Sequence, residues 1–245
     1  MRKFIVGCVV AAWAAGLGAL GQGDDLLAAL DRARFLDTPA SQLTVVVRSE
    51  VDGEVDEAEV RLAFKEIAGG DHVRIEFVRP EDQAGQVFLV TPQGTYFWQP
   101  ELFAPLRTSG TQAAFGDAAV AQLSGIRFAE EYRIAAEREA LATDGTPILE
   151  LELRATSPGV PFQALVVTVD PAGRPRELRL LAVTGVLLYR VTLVAYAELD
   201  GDVYVREQVV ENALVEGSRT VLTIVDVSFE TLPDEVFDPA GLGDG

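Results

Sequence analysis

Cysteine and histidine each occur once in the 245 residues, as Cys8 and His72, and lysine only as Lys3 and Lys65. One thiol excludes an internal disulfide and a cysteine-built metal site. A serine triad needs a base largely neutral near pH 7, which leaves only His72. That residue opens the run His72-Val73-Arg74-Ile75-Glu76-Phe77, shares a face with Arg74 and Glu76, and reads as solvent-facing. No Asp-x-Asp-x-Asp calcium loop and no phosphate-cradling glycine loop occurs. Among 38 acids accidental carboxylate pairs are inevitable, and the runs Asp52 to Glu59 and Glu130-Glu131 read as solvated turns and strand edges. The expectation is a non-enzyme with no catalytic residue, metal or cofactor.

Positive charge is also scarce: 20 basic residues against 38 acidic ones give −18. Such a chain is repelled by nucleic acid and by anionic lipid headgroups. Residues 1–21 have the form of a secretory signal, with Arg2 and Lys3, an apolar run from Phe4 to Leu20, and Ala19-Leu20-Gly21 as a small-x-small site before Gln22. A retained anchor competes with this, but the run is short for a span and holds glycines. Cys8 lies too early to close a lipoprotein signal, so it is discarded with the leader. Without Arg2 and Lys3, 18 basic residues face 38 acids, a net −20. The remaining 22–245 is expected to be one domain, exported to the periplasm or cell envelope and soluble after cleavage.

An apolar share of 49% supports a core. The segment Asp24 to Leu36 has helical spacing at Leu26, Leu27, Leu30 and Ala33, with Pro39 beyond it. From Leu43 the period becomes two. Strands are predicted over 43–51, 58–67, 72–78, 85–91 and 94–99, then over 131–141, 148–155, 162–170, 177–183, 186–199, 203–214 and 220–229. Turn signals such as Val51-Asp52-Gly53, Asp144-Gly145 and Asp200-Gly201 separate them, so consecutive hairpins follow. Between Pro100 and Arg127 the meander breaks into an apolar loop (Leu102, Phe103, Leu106) and a second short helix at 117–123.

Several predicted strands are apolar on both faces: Phe88-Leu89-Val90, Tyr96-Phe97-Trp98, Ala164 to Val167 and Val186 to Tyr189. Something must then cover both sides of the sheet. A curved sheet around apolar contents with helical covers meets that requirement, and so does a two-layer sandwich.

Three stretches carry a family resemblance. They are Val73 to Phe77 leading to Pro80, Gly85-Gln86-Val87-Phe88-Leu89-Val90, and Tyr96-Phe97-Trp98-Gln99-Pro100, joined by the tail Leu232-Pro233-Asp234-Glu235-Val236-Phe237-Asp238-Pro239. Together they resemble the outer membrane lipoprotein-sorting proteins, the LolA and LolB kind, over roughly residues 24 to 242. The resemblance implies a mainly β fold: a curved antiparallel sheet forming an incomplete half-barrel with a helical lid over an apolar cavity. It implies a carrier that binds acyl chains of lipids or lipoproteins and moves them between membranes, with membrane-bound donor and acceptor proteins as partners. The cavity wall would be drawn from Ile75, Phe77, Phe88, Val90, Tyr96, Trp98, Leu165, Val167, Leu187 and Tyr189, and the lid from Leu26, Leu27, Leu30, Leu102 and Phe103. An envelope sensor or assembly protein using the same fold as a protein-interaction module is the alternative.

Overall fold

Alternating apolar and polar residues between glycine turns leave little for this chain to form except antiparallel strands, and those dominate. The computed structural model describes residues 23–34, 40–108, 126–160 and 162–242. Its strands are β1 (Ala40–Val51), β2 (Glu54–Ile67), β3 (Gly70–Arg79), β4 (Val87–Thr91), β5 (Gly94–Trp98), β6 (Leu106–Thr108), β7 (Tyr132–Leu141), β8 (Pro147–Ala155), β9 (Ala164–Val169), β10 (Pro175–Leu181), β11 (Leu187–Leu199), β12 (Asp202–Asn212) and β13 (Arg219–Ser228). They form one antiparallel sheet in the order β6-β5-β4-β3-β2-β1-β13-β12-β11-β10-β9-β8-β7. The expected mainly β architecture is therefore the one adopted. Two helices accompany it, α1 (Gly23–Arg32) and the single turn α2 (Phe128–Glu131). The expected signal segment and the expected helix at 117–123 lie outside the described residues, as does the end of the first helix beyond Arg34. No helix among the described residues is long and apolar enough to cross a membrane.

The chain divides into two compact units. The first holds residues up to Phe35 and Ile126–Val205. Here β7 to β11 present one apolar face, in which Leu151 and Leu153 pair with Val167 and Leu165, and these with Leu178 and Leu180. All six are at most 2% exposed. Full burial of such a side chain is worth about 1.5–3 kcal/mol, so this face carries much of the unit's stability. The opposite face is charged: Glu150 meets Arg138 and, at 2.7 Å, Arg179, while Glu177 lies 3.7 Å from both Arg179 and Arg190. This is the alternation of a sheet with one solvated side.

The second unit, Leu36–Gly125 and Arg206–Gly245, contains β1 to β6, β13 and most of β12. Its hairpins close through glycine where the backbone is left-handed. At the β1–β2 turn Asp52 and Gly53 take φ of 52° and 82°, the conformation that Asp-Gly favours in two-residue hairpins. After β13 the chain runs through 3₁₀ turns at Asp234–Phe237 and Pro239–Gly241. This tail packs back on the sheet, with Phe237 and Leu242 joining Ala63, Val87 and Leu89 in one buried cluster.

Candidate functional site

The side chains that share each face of the second unit follow from pairing register, because directly paired residues point the same way. Val60 and Leu62 of β2 pair with Phe77 and Ile75 of β3, Ile75 with Phe88 and Val73 with Val90 of β4, and Phe88 with Phe97 of β5. Phe97 in turn pairs with Leu106 of β6. Ile75, Phe77, Phe88 and Val90 thus lie on one face. Ile75 and Phe77 are each 3% exposed, whereas Phe88, Val90 and Phe97 are half-buried. The rings of Phe77 and Phe88 have centroids 6.2 Å apart, and those of Phe88 and Phe97 4.8 Å apart at a 42° tilt. Three strands therefore carry a continuous rank of phenyl rings, and no charged side chain stands among these positions.

Tyr96 and Trp98 do not belong with them. They pair with Leu89 and Val87 and so face the other way, where they pack against the tail cluster of Ala63, Val87, Leu89, Phe237 and Leu242. The aromatic that lines up with Phe88 is Phe97, which the sequence-based choice of face passed over. Three consecutive aromatics carry no parity of their own. The signal lay in the turn: Thr91 opposite Gly94 across Pro92-Gln93 forces Phe88 opposite Phe97.

The tail also explains why these strands are apolar on both sides. One face of β2 to β5 is covered by residues 232–242 rather than by a helix. Lys65 Nζ donates to the Leu232 carbonyl at 2.6 Å and reaches Asp234 at 2.5 Å, and an Arg74 Nη donates to the Val236 carbonyl at 3.5 Å. His72 shares this face with Arg74 and Glu76, yet it is half-buried, not freely solvated: its Nδ1 lies 2.9 Å from the Gly70 carbonyl and its ring meets Phe237 edge-on at 6.5 Å.

In the first unit Leu165 and Val167 share a face and are at most 1% exposed, so neighbouring side chains seal them. Tyr189 pairs with Leu180 on that same face and lies edge-on to Phe162 at 6.1 Å. Leu187 does not join them. A bulge between Leu180 and Leu181 leaves Leu187 opposite Leu181, on the other face.

Of the residues expected in a lid, Leu26, Leu27 and Leu30 are at most 7% exposed, and α1 contacts α2 and β7. The anchor of α1 is polar, and hydrophobic periodicity could not reveal it. Asp31 accepts from the backbone N–H of Phe128 at 3.0 Å and of Ala129 at 2.9 Å, satisfying two donors at the start of α2. Arg34 donates to Asp31 at 3.2 Å and to the Ile126 carbonyl at 2.5 Å, with its guanidinium 3.9 Å from the centre of the Phe128 ring. Burial pulls the Arg34 pKa down to about 10, while Asp31 holds it up. Leu102 is half-buried, and Phe103 is fully exposed. Leu106, expected in the loop, begins β6.

Among the described residues no group of three or more His, Cys, Asp or Glu could hold a metal ion. The second unit offers apolar surface in a rank of phenyl rings, Phe77 buried and Phe88 and Phe97 half-buried, with no titratable group at these positions.

A family model described as "Uncharacterized protein" matches residues 69–244. No curated protein matches the chain. Among solved structures, a LolA superfamily protein of Nitrosomonas europaea superposes with a TM-score of 0.74 at 22% identity, over 89% of this chain and 98% of that one. A DUF1329 family protein of Desulfovibrio piger gives 0.74 at 20% identity, over 88% and 95%. A putative outer membrane lipoprotein-sorting protein domain of Vibrio parahaemolyticus gives 0.70 at 21% identity, over 90% and 98%. At these identities the likeness is one of fold.

Proposed function

We propose, for a chain that belongs to the family described as "Uncharacterized protein" through residues 69–244 and has the fold of the LolA superfamily structures, that it is an envelope carrier of acyl chains. The observation that carries this is the phenyl rank Phe77, Phe88 and Phe97 on a face with Ile75 and Val90. The half-buried Phe88, Phe97 and Val90, beside the buried Phe77 and Ile75, leave apolar surface that an apolar ligand can still cover. Each methylene buried there contributes about 0.8 kcal/mol, enough over a long chain to hold a lipid anchor that water cannot. Such contacts have no direction, so they tolerate different acyl chains and need no ionisable group. The name of the Vibrio parahaemolyticus structure points to lipoprotein sorting, and a soluble location in the periplasm after removal of residues 1–21 accords with that role.

Native mass spectrometry of protein purified from its own envelope tests the proposal. The expected result is a co-purifying acylated molecule, displaced by a fluorescent fatty acid whose emission rises on binding. Protein that carries no lipid and gives no fluorescence change would remove the carrier role.

A further inference from the structure

The β5–β6 connection, residues 99–105, is a built loop that ends in an unused side chain. Trp98 Nε1 donates to the Leu102 carbonyl at 3.2 Å, and the Leu102 N–H donates to the Gln99 carbonyl at 2.9 Å. Pro100 and Pro105 restrict the backbone on either side of the tip. Pro100 also leans on the neighbouring β3–β4 loop at Gly85, whose φ is +82° and where a Cβ would come 3.2 Å from Pro100 Cγ. Within this frame Leu102 is half-buried, while Phe103 is fully exposed and Leu106 is 53% exposed. Among the described residues, a loop fixed from both sides thus holds its largest apolar side chain exposed, where a buried anchor residue of an interface would be presented.

The surroundings choose between a membrane and a protein. Glu101 lies in the same loop and Glu81 and Asp82 in the adjoining one, all three exposed. Arg79, at the base of that loop, is 3.9 Å from Glu59. An acidic collar repels an anionic lipid surface and attracts a basic rim. We propose that Phe103 is the anchor of a docking surface for a protein partner, one that offers an apolar pocket bordered by lysine or arginine. Phe103 lies in the loop outside the paired positions of the phenyl rank, which reaches β6 at Leu106, and its docking does not depend on what that rank binds.

The test places a photo-crosslinking phenylalanine analogue at position 103 in cells of the native host and identifies the crosslinked species. The purified partner is then titrated with the wild-type chain, with Phe103→Ser, and with a triple variant carrying Glu81→Gln, Asp82→Gln and Glu101→Gln. The expected partner is a protein with a basic-rimmed pocket. Its Kd should rise at least tenfold for Phe103→Ser, and the triple variant should bind more weakly with a flatter salt dependence. Equal affinity for Phe103→Ser overturns the proposal. So does the lack of any crosslink, a crosslink to lipid or to a second copy of this chain, or Phe103-dependent flotation with vesicles of three parts phosphatidylethanolamine to one part phosphatidylglycerol. Uptake of a fluorescent fatty acid by Phe103→Ser should equal wild type. A variant that lost uptake as well would assign Phe103 to the lipid-binding surface and overturn the proposal in that way, whereas wild-type chain with no uptake would sink only the carrier role.

Discussion

Asp31 and Phe128 are 97 positions apart in the chain, yet the Asp31 carboxylate accepts the Phe128 backbone N–H at 3.0 Å. The same carboxylate takes the next N–H and pairs with Arg34, so one side chain ties α1 to the start of α2. Loss of a capping side chain costs about 1 kcal/mol, and removing one partner of a buried ion pair costs about 3–5 kcal/mol. Asp31→Ala, which loses both, should therefore lower stability by about 4 kcal/mol or more in urea denaturation. Arg34→Met, which removes the buried cation and leaves the caps in place, should cost less by the share of the cap, about 1 kcal/mol. Equal losses would show that the cation, not the cap, holds the two helices.

Parity within β5 predicts a separation of binding from stability. Phe97→Ala should weaken binding of a fluorescent fatty acid severalfold, because Phe97 continues the phenyl rank. Trp98→Ala should leave that affinity largely intact but cost about 3 kcal/mol, since truncating a packed aromatic leaves a cavity and frees the Leu102 carbonyl. The reverse pattern would mean that the two faces have been assigned backwards.

The tail is a structural cover with its own signature. Phe237→Ala should cost about 3 kcal/mol. A chain ending at Thr231 should expose Val87 and Leu89 and bind more of the dye ANS than the full chain does. Lys65→Met removes both the Leu232 and Asp234 contacts and should produce a milder version of the same change.

The charge ladder on the first unit should matter little. Glu150→Gln breaks contacts with Arg138 and Arg179, but Arg138 is 73% exposed, and solvent-screened pairs are worth about 0–1 kcal/mol. A loss above about 1 kcal/mol in chemical denaturation would show that this face is less solvated than its alternation implies.

Alkaline titration tests the two buried phenols. Burial raises the pKa of Tyr132 and of Tyr196 well above the ordinary value of 10. Between the unfolded and folded pKa values the native state keeps protons that the unfolded chain has lost. The stability they confer is complete below pH 10 and falls as pH rises through that window. Arg34 acts oppositely: burial lowers its folded pKa to about 10, below its ordinary value, so the cost of its buried charge is relieved as pH rises above that point. Phenolate absorbance should show Tyr132 and Tyr196 ionising only together with unfolding. All five tyrosines titrating freely would contradict the burial.

Much of the meander was legible because hairpins are local: twelve of the thirteen strands announce themselves through period-two runs and glycine turns. The missed strand, β6, has only three residues, too few to show a period. The bulge that turns Leu187 away from Tyr189 adds one residue and shifts parity without a mark in composition.

Composition, charge and periodicity by themselves determined an acidic, almost all-antiparallel β chain, poor in reactive side chains, while a few short motifs gave its resemblance to the lipoprotein-sorting proteins. Tertiary structure alone decided which face each residue serves. Register is set by pairing partners, so Tyr96 and Trp98 went to the tail and Phe97 to the phenyl rank. It also decided that the cover on β2 to β5 is a distant segment, and that α1 is held by Asp31 and Arg34. Those contacts join residues far apart in the chain, and hydrophobic spacing records only which residues seek burial, not what will bury them.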